Sequence, residues 1–147
     1  MTEDLLPEDR EMAETIQTVG NALPVDLLKK HDYGLTSAAA ENHGSTQWTW
    51  HRVGKDGEPH RHVSLAVLLK DDGSIDLAEF WAGAYQGRRF TRRCISSRKL
   101  DIYHVDAELE RCMERTIAAA NQLGVDDLEY SRSYDVIDDP DRDPRGG

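Results

Sequence analysis

The sequence has little sulfur, few phenylalanines and no long apolar stretch, and each shortage narrows what the chain is. Its 147 residues include only two cysteines, Cys94 and Cys112, with no CxxC pair, so neither a disulfide framework nor a thiolate zinc knuckle is indicated. The longest apolar run, Leu65 to Leu69, is far short of the roughly 20 residues a membrane helix needs. The N-terminus, MTEDLLPEDRE, carries neither a basic segment nor a long apolar one. A soluble, cytoplasmic protein with no membrane partner is the expectation. Cationic residues are also scarce: 18 Lys and Arg stand against 28 Asp and Glu, for a net charge of -10. Such a balance favours solubility and opposes generic attraction to nucleic acid or anionic membranes.

What positive charge exists is concentrated. Between Gln86 and Leu100 lie Arg88, Arg89, Arg92, Arg93, Arg98 and Lys99 with no acidic residue, which leaves -16 on the remainder of the chain. Arg outnumbers Lys by 13 to five and Asp outnumbers Glu by 17 to 11, a bias that suits a GC-rich or salt-adapted source.

The length is that of one domain with one core. Pro7 followed by Glu8, Asp9 and Glu11 starts a helix, because a first-turn Pro loses no hydrogen bond and acids favour the positive end of the dipole. Met12, Ile16, Val19 and Leu23 share its inner face, and a short second helix is expected from Val25 to His31, stopped by Gly34. Residues 35–45, LTSAAAENHGS, lack periodicity and read as a linker or a frayed helical turn.

From Thr46 onward, short runs rich in aromatic and β-branched residues alternate with KDGE, DDGS and QG turns. They predict an antiparallel meander with strands at 46–54, 60–70, 75–85 and 88–97. Asp106 is the expected cap of a long helix, in which Leu109, Met113, Ile117, Ala120 and Leu123 recur three or four apart. Leu128, Tyr130, Tyr134 and Val136 alternate as a fifth strand would. The fold class is therefore α+β: a four- to five-stranded meander, two N-terminal helices and one long C-terminal helix packed on one face. Residues 1–137 form the domain, and 138–147, DDPDRDPRGG, are expected to be a disordered acidic tail.

Two stretches carry candidate chemistry. If Asp56-Gly57 is a two-residue turn, His51 opposes His62, with His60 on the same face; Trp48, Trp50, Val63, Leu65, Val67 and Leu69 take the core face. Three imidazoles at that spacing are a candidate divalent-metal site with an open fourth position. Gly54, His60, His62 and Gly73 also resemble the spacing of the first cupin signature. The ligand Glu is replaced by Ala66 or Val67 and no second signature follows, so the chain is not assigned to that family.

The second stretch is RRFTRR. Alternation puts Arg88 and Arg92 on one face and Arg89 and Arg93 on the other, an arrangement a covered strand cannot accept without paired acids. The start of this strand is therefore expected to project as a hairpin tip. There Arg88, Arg89, Arg92, Arg93, Arg98 and Lys99 would meet an anionic partner, nucleic acid or acidic protein, with Tyr85, Phe90 or Trp81 beside them to stack on a base. Trp48, Trp50 and Trp81 are assigned to the core, and Cys94 to the space beneath the last helix. No nucleophile elbow or phosphate-binding loop occurs, so no catalytic residue is named. The functional expectation is a non-enzymatic binding or regulatory module without a cofactor. An acidic homodimeric, chaperone-like domain and a His-ligated metal enzyme are the alternatives.

Overall fold

The computed structural model describes residues 7–40 and 45–130. The expected fifth-strand residues Tyr134 and Val136 and the acidic tail lie outside the described residues. The chain runs through α1 (Pro7–Asn21), α2 (Val25–Lys30), β1 (Gly34–Ala40), β2 (Thr46–Arg52), β3 (His60–Leu69), β4 (Ile75–Gln86), β5 (Arg89–Arg98), α3 (Val105–Gln122) and β6 (Glu129–Tyr130). The strands form one antiparallel sheet in sequential order, β1 to β6, and the helices lie over one of its faces. The expected α+β meander is thus present. No helix among the described residues is long and apolar enough to cross a membrane.

Alternation along β3 and β4 divides the sheet. Val63, Leu65, Val67, Ala78, Phe80 and Ala82 are fully buried and meet Leu109, Met113, Ile117 and Ala120 of α3, with Trp48 and Trp50 from β2 beside them. Burial of this apolar surface between two layers is the main favourable term in folding. α1 joins the core through Met12 and Val19, and Thr15 Oγ1 donates 2.7 Å to the carbonyl of Gly73 in the β3–β4 turn. Gly73 has φ 88°, and a Cβ there would lie 2.7 Å from the Glu11 side chain, so both backbone conformation and helix proximity demand glycine.

Several local expectations need correction. α2 ends before Gly34: Asp32 takes the left-handed conformation (φ 67°), while the Asp32 and Tyr33 amides donate to the carbonyls of Lys29 and Leu28, a Schellman closure. Gly34 instead opens β1, where the sequence read as linker. Its small residues have no strand preference of their own; hydrogen bonding to the outer edge of β2 recruits them, with an irregularity between Leu35 and Ser37. Trp81 leaves the core because Phe80 and Ala82 alternate inward on either side of it. Cys94 is exposed, since it pairs with the outward-facing Trp81 and alternation from Arg93 turns Ile95 rather than Cys94 toward the helices. α3 begins at Val105, so Asp106 lies within its first turn rather than capping it; Asp101 caps the 3-10 turn Ile102–His104 that leads into the helix, its carboxylate accepting from the Tyr103 amide at 3.0 Å.

Candidate functional site

The β2–β3 turn behaves as its Asp-Gly dipeptide dictates. Asp56 (φ 38°) and Gly57 (φ 85°) are both left-handed, and the Glu58 amide donates 2.7 Å to the Lys55 carbonyl, which is a type I′ turn. The resulting register sets His51 opposite His62 and Trp50 opposite Val63. His60 and His62, two apart on β3, therefore share the helix-free face with His51.

On that face β4 and β5 add Trp81, Gly83 and Tyr85, then Phe90 and Arg92, by the pairings His60–Tyr85, His62–Gly83, Tyr85–Phe90 and Gly83–Arg92. The rings form a connected group. His62 is 5.7 Å from His51 and stacks at 6.5 Å on Phe90; His60 stacks at 5.3 Å on Tyr85; and His51 meets Tyr85 edge-on at 6.4 Å. The Arg92 guanidinium lies 4.2 Å over the Trp81 ring, a cation–π contact, and the Trp81 indole donates 3.3 Å to Glu79. Gly83 makes this packing possible. A Cβ there would collide with the His62 ring, lying 2.5 Å from Nε2 and closer still to Cε1. The ring therefore crosses the strand where no side chain stands.

The electrostatics follow from burial. His62 is only 8% exposed. Burial pushes its pKa down to about 4, with Arg92 and His51 adding to the effect; His51 is lowered by burial and by His60. These two rings are neutral at pH 7. Thr36 Oγ1 is 2.5 Å from His51 Nδ1. No three His, Cys, Asp or Glu side chains among the described residues are grouped to hold a metal ion. His51, His60 and His62 share a face as the sequence suggested, but they pack against aromatic rings rather than converging on a point.

The cationic stretch is not a projecting finger. β5 pairs with β4 from Arg89 opposite Gln86 to Arg98 opposite Ala78, and only Gly87 and Arg88 form the turn. Its arginines divide between the two faces, and the acceptors for the helix-side set come from the segment that follows α3 and from the first turn of that helix. Arg89 donates to the carbonyls of Val125 (2.6 Å) and Leu128 (3.0 Å), Arg93 is 3.9 Å from Asp127, and Arg98 is 3.3 Å from Glu108. Arg93 also borders a cleft of about 290 Å³ with Ile95, Ala119, Gln122 and Leu123. Arg88 is exposed in the turn and Lys99 follows the strand, also exposed. Of the six cations, Arg92 alone stands in the ring group; Phe90 and Tyr85, expected beside the tip, stand in it too.

Sequence reasoning passed over Arg61. At 6% exposure it lies beneath the end of α3 and donates to the carbonyls of Ala120 (3.0 Å), Leu123 (2.8 Å) and Pro59 (3.1 Å). Arg52 donates 3.0 Å to Asn121 Oδ1, which also accepts 2.7 Å from the Tyr33 hydroxyl. The last turn of α3 holds no basic residue, so sheet arginines supply the donors and positive charge that a helix C-terminus favours. In HRHVSLAVLL, Arg61 continues the core-facing alternation of Val63, Leu65 and Val67, which was the available signal. Comparison of the chain with protein-family models, with curated proteins and with solved structures finds no match.

Proposed function

We propose that the protein is a non-enzymatic binding module and that the helix-free face of its sheet takes a single-stranded nucleic acid. The observation that carries this reading is Arg92 stacked on Trp81 beside the Phe90, His62, Tyr85 and His60 rings, with Glu79 acting on it from the same face but no ion pair within 4.0 Å of its guanidinium among the described residues. A flat array of aromatic faces accepts bases by stacking, and a guanidinium among them accepts phosphate oxygens. The neutral His62 ring suits stacking too, because it brings no desolvation cost of a charge.

The placement of the arginines alters the expected salt response. Were all six cations of the stretch to meet phosphates, affinity would fall steeply with salt. With Arg92 and the turn residue Arg88 as the cations nearest this face, the slope of log affinity against log salt is about -0.7 to -1.4. Stacking then supplies most of the affinity, at roughly 1–3 kcal/mol per base.

The test is an anisotropy titration of a labelled single-stranded oligonucleotide at several salt concentrations. Phe90→Ala and Tyr85→Ala should each weaken binding about tenfold or more. Arg92→Gln should weaken it and reduce the salt slope by about 0.7. Absence of binding, or affinity indifferent to all three substitutions, overturns the reading. Binding of a polyglutamate chain in place of the oligonucleotide would assign the face to an acidic protein.

A further inference from the structure

The strand β1 ends the sheet with an edge of unusual composition. Gly34–Ala40, GLTSAAA, contains no charged residue and no proline, and the strand behind it is uncharged from Thr46 to Trp50. On a molecule of net charge -10 this is a neutral strip two strands wide. All side chains from Gly34 to Ala39 are exposed, Leu35 by 56%. No described segment pairs with the outer side of β1. The other margin of the sheet is guarded differently: Arg89, Arg92, Arg93 and Arg98 line β5, its register is broken by a bulge, and β6 pairs with its first two residues. Folded proteins blunt exposed strand edges with charge, proline, bulges or cover. β5 uses three of these devices, while β1 has only a single irregularity near its start.

We infer that a second copy of this chain pairs antiparallel with β1 edge to edge, joining two sheets into one. The occupant is a copy because an antiparallel strand pair is self-complementary about a two-fold axis and needs no partner of matched sequence. An acidic copy also meets no carboxylate on this strip, whereas the rest of the surface repels it. Ser37, Ala38 and Ala39 are small enough on both faces for the strands to approach to the usual ~4.8 Å spacing. The axis of such a pair is perpendicular to the sheet, so both sets of helices lie on one side and both ring groups on the other. The two His51 residues then lie on one continuous face, three strand spacings (about 14 Å) apart across the sheet and, because His51 pairs with Gly34 at the far end of β1 from the axis, offset by roughly 20 Å or more along it. This pairing extends the homodimer reading of the sequence and is independent of whether the face binds nucleic acid.

Sedimentation equilibrium of the full chain tests it, and twice the chain mass is expected. The double substitution Ser37→Lys, Ala39→Lys places like charges against each other across the axis and should weaken association at least about 100-fold. Ser37→Thr should leave it intact. A single cysteine placed in turn at positions 37, 38 and 39 in a Cys94→Ser background should give a reducible covalent dimer for at least one of the three. The chain mass alone at every concentration overturns the inference, as does a dimer indifferent to the two lysines. Should the lysine variant fail to fold, absence of a cross-link at all three positions overturns it. Oligonucleotide binding by a single copy leaves the nucleic-acid reading intact when this pairing fails, so the two fail separately.

Discussion

Lowering the pH should destabilise this protein well before its carboxylates titrate, and one side chain should carry most of the effect. His62 has a folded pKa of about 4 against an ordinary value of 6.5. Because the folded value is depressed, the unfolded chain binds the proton more readily. The stability associated with the neutral ring is fully present above pH 6.5 and is lost as pH falls toward 4. Integrating that linkage gives a loss of about 2.5 kcal/mol by pH 4.5 and about 3 kcal/mol by pH 4. His51, lowered in the same direction, steepens the slope. Asp72 and Asp101 are lowered from 3.8, Asp72 chiefly by its hydrogen bond from Ser74 and Asp101 chiefly by that with His104. Their contributions are present above 3.8 and fade only below it, outside the window. Urea unfolding at pH 7.5, 6.5, 5.5 and 4.5 measures the slope, and His62→Gln is the control because Gln takes up no proton there. The comparison is of slopes, so any constant cost of the substitution cancels. Equal slopes in the two proteins would refute the account of His62 as a neutral ring held over Gly83.

Two further perturbations address the same architecture. Gly83→Ala should cost about 1–3 kcal/mol by forcing the His62 ring aside, which thermal unfolding would read as a drop of roughly 3–10 °C. In a His62→Ala background the cost should shrink by at least about 1 kcal/mol; part of it persists, since the new Cβ also meets the Thr91 carbonyl oxygen at 2.9 Å. Arg61→Met keeps the apolar stem but strips the donors from the carbonyls of Ala120, Leu123 and Pro59, and denaturant unfolding should report a loss of about 2–4 kcal/mol, with Arg61→Lys recovering part of it.

Much of the fold is legible because local chemistry and periodicity agree. The Asp56-Gly57 dipeptide demands left-handed conformations at two successive residues, and that alone sets the register that brings His51 to His62. The stripe of Leu109, Met113, Ile117 and Ala120 can only be a helix face turned inward. β1 could not be read in this way: GLTSAAA has no pattern, and it is a strand because β2 offers it hydrogen bonds. Trp81 was misplaced by treating bulk as burial, although strict alternation from Phe80 points it outward.

The sequence by itself determined the class, the turn geometry and the sharing of one face by three histidines, since each depends on residues near in the chain or related by a turn. Only the tertiary structure decided what the arginines do. Their acceptors are distant in sequence: Arg61 meets carbonyls at the end of α3, Arg89 carbonyls of the segment after it, and Arg93 and Arg98 the carboxylates of Asp127 and Glu108, all of which come within reach only once α3 has docked. Composition registers positive charge; it cannot register that Arg61 and Arg89 are held by carbonyl oxygens while Arg92, turned to the opposite face, stacks on an aromatic ring with Glu79 as its nearby counter-charge.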